Sequence, residues 1–213
     1  ILDNADLSYA DMTNIKFNNA SMSNVYIWST HLKNADFTGA ELYGIQSGSC
    51  GFDNSPPILP DGYIFKNGHI VGPNANLTGA TFNNFSFVDQ DFSGANLTGV
   101  NFRYATLSNA NFAGATLLNA NLYESDLSNA NLAGADIRGA NLMRTSVTLT
   151  ASEMAEFDIS GCNITGTALL HIAPDQSNSD QVGLSTKNLT FSKIGNEVQI
   201  YWDGAENEIY QLF

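Results

Sequence analysis

Asparagine or aspartate stands one residue before a large apolar residue again and again along the 213-residue chain, as in Asp6-Leu7, Asp11-Met12, Asp36-Phe37, Asp91-Phe92 and Asp136-Ile137. Neighbouring carboxylates could hold a metal or share a proton as an acid–base pair. The three histidines, His31, His69 and His171, could ligate zinc or act as bases, and Cys50 and Cys162 could be ligands or nucleophiles. Spacing withholds the companions that each chemistry needs. No His or Cys sits within a metal-binding motif, and no Gly-rich phosphate loop or basic-aromatic patch is present. Both cysteines fall at inward positions of the pattern described below, which makes them small buried hydrophobes. Asn-X-Ser/Thr triplets match the glycosylation sequon, but those at Asn76, Asn84, Asn96 and Asn163 are part of a repeating motif and so carry little information about sugar attachment.

The Asn and Asp residues recur because the chain repeats every five residues. Leu2, Leu7, Met12, Phe17, Met22, Ile27, Leu32, Phe37 and Leu42 are spaced by fives, with a small or apolar residue two positions earlier in most units. The same pattern runs from Ala75 to Val147. A period of five fits neither a helix nor a long alternating strand. It fits a chain that runs straight briefly, with residues two apart on one side, and then turns at a polar pair. Phe92, Leu97, Phe102, Leu107, Phe112 and Leu117 alternate, so like residues recur at ten and twenty positions. An even number of sides would stack like on like.

The units Ala-Asp-Leu-Ser-Tyr, Ala-Asp-Phe-Thr-Gly, Ala-Asn-Phe-Ala-Gly and Ala-Asp-Ile-Arg-Gly resemble the pentapeptide-repeat family, whose motif is Ala-(Asp/Asn)-Leu-X-X. The resemblance implies an all-β fold, a right-handed, four-sided parallel β-solenoid with twenty residues per coil. With that coil length Asp91 lies beside Asn111, Asp136 beside Thr116, Asp36 beside Lys16 and Asp11 beside His31. No two acids are then neighbours, which argues against a carboxylate dyad.

The pattern divides the chain into coils over 1–46, an insertion over 47–74, coils over 75–172 with a register slip near 148–156, a linker over 173–183 and a small β unit over 184–213. Within the insertion, Tyr63 to Val71 reads as a hairpin turning at Asn67-Gly68 that projects from a corner or packs along one face. Thr150-Ala151-Ser152-Glu153 has the form of a capping box and predicts one helical turn over 151–156. Repeats resume after it with centres at Ile159, Ile164 and Leu169. Beyond the linker, alternation in Leu189-Thr190-Phe191, Val198-Gln199-Ile200-Tyr201-Trp202 and Ile209-Tyr210-Gln211-Leu212 predicts short antiparallel strands. Their spacing resembles the first strands of a fibronectin type III-like domain.

Net charge is −13. Residues 1–147 contribute −6 and residues 148–213 contribute −7, which disfavours phosphate backbones and anionic lipid as partners. No stretch of eighteen apolar residues is present. The expected function is non-enzymatic and needs no cofactor: a rigid rod on the surface of a bacterial cell or secreted from it, which binds a protein partner or assembles end to end into filaments through the solenoid ends and the C-terminal strands. The residues expected to make such contacts are Tyr63, Phe65, Asn67, Gly68 and Ile70 of the hairpin, with Ile200, Trp202, Tyr210 and Leu212 of the terminal strands. The alternative is an acidic DNA mimic that binds DNA gyrase, as the family's quinolone-resistance members do. The chain resembles that group less closely, because its acids are dispersed along the repeats.

Overall fold

In each unit the third and fourth positions after the small residue meet a conformational demand that polar residues and glycine satisfy. The corner residue takes positive φ at every fifth position, as at Asn4 (61°), Asn14 (61°), Asn109 (58°) and Gly99 (65°). A backbone bond closes each corner, for example Ala5 N–H to Leu2 O at 2.9 Å and Ala110 N–H to Leu107 O at 3.0 Å. The computed structural model describes residues 1–150, 162–163, 168–172, 189–194 and 197–202. Four such corners return the chain to its starting side after twenty residues.

Successive coils pair in parallel. Bridges join Asp6 to Tyr26, Asp11 to His31, Lys16 to Asp36 and Ser21 to Glu41, and below the insertion Asn76 to Asn96, Thr81 to Asn101, Ser86 to Thr106 and Asp91 to Asn111. Where pairing runs longer it forms strands. Strand β1 (Tyr26–Trp28) pairs in parallel with β2 (Gln46–Gly48). The insertion contains β3 (Ile64–Lys66) and β4 (His69–Val71), an antiparallel pair turning at Asn67-Gly68. Further on, β5 (Asp126–Leu127), β6 (Ser146–Thr150) and β7 (Ala168–Ile172) form one parallel sheet. Strands β8 (Leu189–Ile194) and β9 (Glu197–Trp202) pair antiparallel.

The core is the single file of central residues and the alanines beside them. Phe82, Phe92, Phe102, Phe112, Leu97, Leu107 and Leu117 are fully buried, as are Ala95, Ala110 and Ala140. Phe92 stacks on Phe112 with ring centroids 5.0 Å apart and planes within 1°, and Phe82 stacks on Phe102 at 5.6 Å. Like residues therefore meet like at twenty positions, the even-sided stacking expected from the alternation.

The shift in register after Val147 is two residues. Asn141 pairs with Asn163 and Val147 with Leu169, so Leu169 continues the position of Val147. The helical turn expected over 151–156 lies outside the described residues, as does the strand expected at 209–212.

A corner substitution tests the backbone argument. Gly99 has open space where a Cβ would stand, so only its φ resists a side chain. Gly99→Val is expected to lower stability by about 1–2 kcal/mol. Gly99→Asn should change it by no more than about 0.5 kcal/mol, because Asn119 occupies the same corner one coil later with φ 56°. Urea unfolding of the two variants would show the difference.

Candidate functional site

The recurring Asn and Asp side chains serve the corners. Their Oδ1 atoms accept the N–H two residues on, as in Thr13 to Asp11 at 2.9 Å, Ser93 to Asp91 at 2.8 Å and Ser128 to Asp126 at 3.0 Å. They also bond from coil to coil, Asn131 Nδ2 to Asn111 Oδ1 at 2.9 Å and Asn111 Nδ2 to Asp91 Oδ1 at 3.1 Å. Hydrogen bonds from Thr38 first, and then Asn18, hold the Asp36 carboxyl at about 2. These carboxylates are spent on structure, and among the described residues no group of three or more His, Cys, Asp or Glu could hold a metal.

The regular ladder is interrupted at the insertion, and the site lies there. Among the described residues one bridge crosses the interruption, where Gln46 pairs with Asn76, ten residues further along the chain than a normal coil would place it, with the bond from Gly44 N–H to Asn74 O at 2.9 Å beside it. Among the described residues no bridge joins Gly51 to Thr81, Ile58 to Ser86 or Glu41 to Asp91. The hairpin fills the gap. Strand β4 is buried throughout, with Ile70 and Val71 at 0% exposure. Two positions that should carry large central residues are small and make room for it: Ser47 between Ile27 and Leu77, and Gly72 between Leu42 and Phe92. The Oγ of Ser47 accepts the Ile70 N–H at 2.8 Å, and the Tyr63 ring occupies the space where Gly72 lacks a side chain. On the remaining sides Phe65 packs edge-on against Phe52 at 4.9 Å, Lys66 lies over Phe85 at 5.3 Å, and Tyr63 donates its hydroxyl to Pro73 O at 2.8 Å.

This arrangement corrects the expectation for Ile70. It is a core residue sealed between two stacks of coils and offers nothing to a partner, because the missing central side chains at Ser47 and Gly72 draw β4 inward. Tyr63 and Phe65 are half-buried, while Asn67 at the tip is exposed. Gly68 abuts the backbone of Ser49 and Cys50, whose N–H donates to Gly68 O at 3.1 Å. Ile200 and Trp202 lie on β9, opposite Phe191 and Leu189 respectively. Tyr210 and Leu212 lie outside the described residues.

At the hairpin tip the parted coils leave an open cleft of about 490 Å³, lined by Trp28, Ser49, Cys50, Asn67, Gly68, His69, Thr78, Gly79, Ala80 and Thr81. Its wall is Trp28, whose ring covers Gly48 one coil on and meets His69 edge-on at 6.2 Å. His69 is held by Ser47 O, 2.6 Å from its Nδ1, and by edge contact with Phe82 at 5.3 Å. That contact makes Nδ1 the protonated nitrogen and leaves Nε2 with its lone pair. Burial lowers the pKa of His69, and the hydrogen bond to Ser47 only partly opposes this. Cys50 donates its thiol to Ile27 O at 2.7 Å, and burial pushes its pKa up, so it is a core group rather than a nucleophile. Cys162, half-buried, likewise donates to Ile137 O at 3.0 Å. Trp28 is not singled out by the sequence, and His69 stands there only as a ligand or base without companions. The legible signals were Gly48 twenty residues after Trp28, and the two breaks in the apolar series at Ser47 and Gly72.

His69 gives the seam a pH dependence with a definite sign. A buried neutral histidine binds its proton more readily in the unfolded chain, so the stability it contributes is complete above its ordinary 6.5 and declines as pH falls from there towards its lower folded value. The hydrogen-bonded carboxylates act later, below 3.8, with Asp36 the last to be protonated near 2. Urea midpoints measured from pH 7.5 downward should fall in two stages, and His69→Asn should remove the first.

Two models of repeat families match the chain, one of pentapeptide repeats in eight copies over residues 1–39 and one of a pentapeptide repeat region over residues 73–142. Similar solved structures include HetL, a pentapeptide repeat protein involved in heterocyst differentiation regulation in the cyanobacterium Nostoc, 23% identical over 79% of this chain and 84% of that one, with a TM-score of 0.32. QnrB1, a plasmid-mediated fluoroquinolone resistance protein, is 22% identical over 77% of this chain and 89% of its own, with a TM-score of 0.29. A pentapeptide repeat protein of the Arabidopsis thaliana thylakoid lumen is 30% identical over 48% of this chain and 69% of its own, with a TM-score of 0.25. No curated relative matches the chain. The five-residue period, the corner at every fifth residue and the matches on both sides of the hairpin have one explanation: this chain belongs to the pentapeptide-repeat family and folds as its right-handed quadrilateral β-helix.

Proposed function

We propose that this chain is a non-enzymatic interaction scaffold, a stiff rod that presents one aromatic side to a protein partner or to further copies of itself. The observation that carries this reading is the placement of Tyr9, Tyr26, Trp28 and Tyr43. All four are exposed, Tyr9 at 82% and Tyr43 at 60%; the other exposed large apolar residues are Ile1, Ile15, Ile58, Val88 and Tyr104. Tyr26 projects from the side that carries Asp6 and Gln46. Trp28 and Tyr9 stand on adjacent coils at one corner of that side, joined by the bond from Tyr9 N–H to Trp28 O at 2.8 Å, and Tyr43 stands at the opposite corner. Tyrosine and tryptophan offer large rigid contact area at low entropic cost, and exposed apolar groups gathered on one side mark interaction surfaces. The stiff ladder behind them keeps that surface pre-organised.

A photo-crosslinking residue placed at Tyr26 tests the reading in the producing cell, with the same residue at Val88 as the comparison. Discrete protein adducts at Tyr26 and none at Val88 are expected. Equal labelling at both, or none at either, overturns it. The proposal extends to end-to-end assembly, which sedimentation at rising concentration would reveal as a growing series of polymers; a single monomeric species at the highest concentration sinks that part. It extends also to a place on the outside of a bacterial cell. Loss of the chain on protease treatment of intact cells is expected there, and full protection contradicts it. The DNA-mimic alternative lacks a comparable observation, since side-by-side acids do not occur in the described stacks. Inhibition of gyrase supercoiling by the pure chain would nevertheless restore it.

A further inference from the structure

We propose that the cleft between Trp28 and the hairpin tip binds a neutral, hydroxyl-rich ligand, a saccharide unit, which stacks on the Trp28 ring and donates a hydroxyl to Nε2 of His69. This site shares Trp28 with the aromatic side but does not rest on the scaffold reading, because the rod can present Tyr9, Tyr26 and Tyr43 whether or not the cleft is filled.

Three observations select this ligand class. The first is the histidine. His69 is only 9% exposed and lines the cleft, its Nδ1 is occupied by Ser47 O, and its Nε2 has no partner among the described residues. As an unprotonated ring nitrogen, Nε2 can accept an O–H from a ligand in place of water. The second is the parted ladder. One coil further on, Thr98 O accepts Gly79 N–H at 2.9 Å and Asn101 N–H donates to Ala80 O at 2.9 Å. The equivalent groups at the cleft, Thr78 O and Thr81 N–H, have no such backbone partners among the described residues, so the wall opposite His69 offers one acceptor and one donor. The third is the character of the rest. No Asp, Glu, Lys or Arg lines the cleft. Ser49, Asn67, Thr78 and Thr81 supply short neutral polar groups, and Trp28, 41% exposed, supplies the one large apolar surface.

Without a charged lining the cleft selects neither anions nor cations. A peptide strand does not fit, because the parted edge is closed at one end by the Gln46–Asn76 bridge and at the other by the bond from Asn67 Nδ2 to Thr81 O at 2.7 Å. A sugar ring has what remains to be matched, namely an apolar face of C–H groups to lie on an indole and a rim of hydroxyls that both donate and accept. The cleft volume is within the range of small-ligand sites.

Saturation-transfer NMR on the whole chain would test this with glucose, N-acetylglucosamine, cellobiose and chitobiose as probes, and adenosine and tetra-alanine as non-sugar comparisons. At least one sugar should bind saturably with a Kd of about 1 mM or tighter. The disaccharides separate a free-sugar site from a glycan-chain site: tighter binding of the dimers indicates a chain. Trp28→Ala and His69→Asn should each weaken binding by about tenfold or more, while Val88→Ala should leave it unchanged. Thermal melts of the variants identify any that fail to fold. Trp28→Phe keeps a stacking surface at little structural risk and should retain partial binding. The proposal is overturned if no sugar binds saturably, if adenosine or tetra-alanine binds as tightly as the best sugar, or if folded Trp28→Ala binds as tightly as the unaltered chain.

Discussion

Replacing Phe102 with alanine is expected to destabilise the coils below the hairpin by about 3–5 kcal/mol. Phe102 is fully buried and its ring touches four others: Phe82 at 5.6 Å, Phe92 at 5.6 Å, Phe87 at 5.7 Å and Phe112 at 6.4 Å. The coils cannot close on the cavity, because their spacing is set by backbone bonds such as Phe102 N–H to Asn121 O at 2.8 Å and Asn101 N–H to Ala80 O at 2.9 Å. A void in a frame that cannot relax keeps its full cost. Phe102→Leu should cost less, about 1.5 kcal/mol, since leucine already fills this role at Leu97 and Leu107. Urea unfolding of both variants measures the difference. Equal losses for the two would mean that aliphatic bulk recovers nothing and that the ring stack itself, not the filling of the cavity, carries the cost.

Ile70→Ala is the second, at about 2–5 kcal/mol, and its effect should appear in a different place. Ile70 is fully buried in the strand that plugs the gap between two stacks of coils. Among the described residues the Gln46–Asn76 pairing and the backbone bond from Gly44 N–H to Asn74 O at 2.9 Å otherwise carry the ladder across. In a repeat architecture each coil depends on its neighbours alone, so a weakened plug should uncouple the stacks rather than melt both. Hydrogen exchange should therefore accelerate over residues 63–81 while residues 95–142 keep their protection. Ser47→Ala probes the same joint from the other side. It leaves the Ile70 N–H without its acceptor and should cost about 1–3 kcal/mol. Uniform acceleration along the whole chain in Ile70→Ala would show that the hairpin is no joint.

The plug also explains why the site was only partly legible. The interruption of the repeat was visible from Gln46 to Pro73, and the Asn67-Gly68 turn was visible within it. The inward docking of β4 was not, because a three-residue strand of His-Ile-Val reads equally well as a projecting hairpin or a buried one. The deciding residues were Ser47 and Gly72, which seem ordinary in a loop and matter only because each stands in a column of large apolar residues twenty or thirty positions apart. His69 was set aside for want of a partner in the sequence. Its partners are a backbone carbonyl at Ser47 and an indole at Trp28, and neither a carbonyl nor a contact across coils has a sequence signature.

Sequence by itself determined the solenoid. A five-residue period with a small residue, a large apolar residue and a turn pair in fixed order permits very few chain paths, and each unit repeats the same local instruction, so even the pairing of Phe92 with Phe112 could be read from spacing. What only the tertiary structure decided is what happens where the instruction lapses. At the seam no neighbouring unit dictates the register, so burial of Ile70 and Val71, the bond from Ile70 to Ser47 and the ring of Trp28 over Gly48 settle the outcome together. Those contacts join residues far apart in sequence, and their free energy exists only once both stacks of coils have formed.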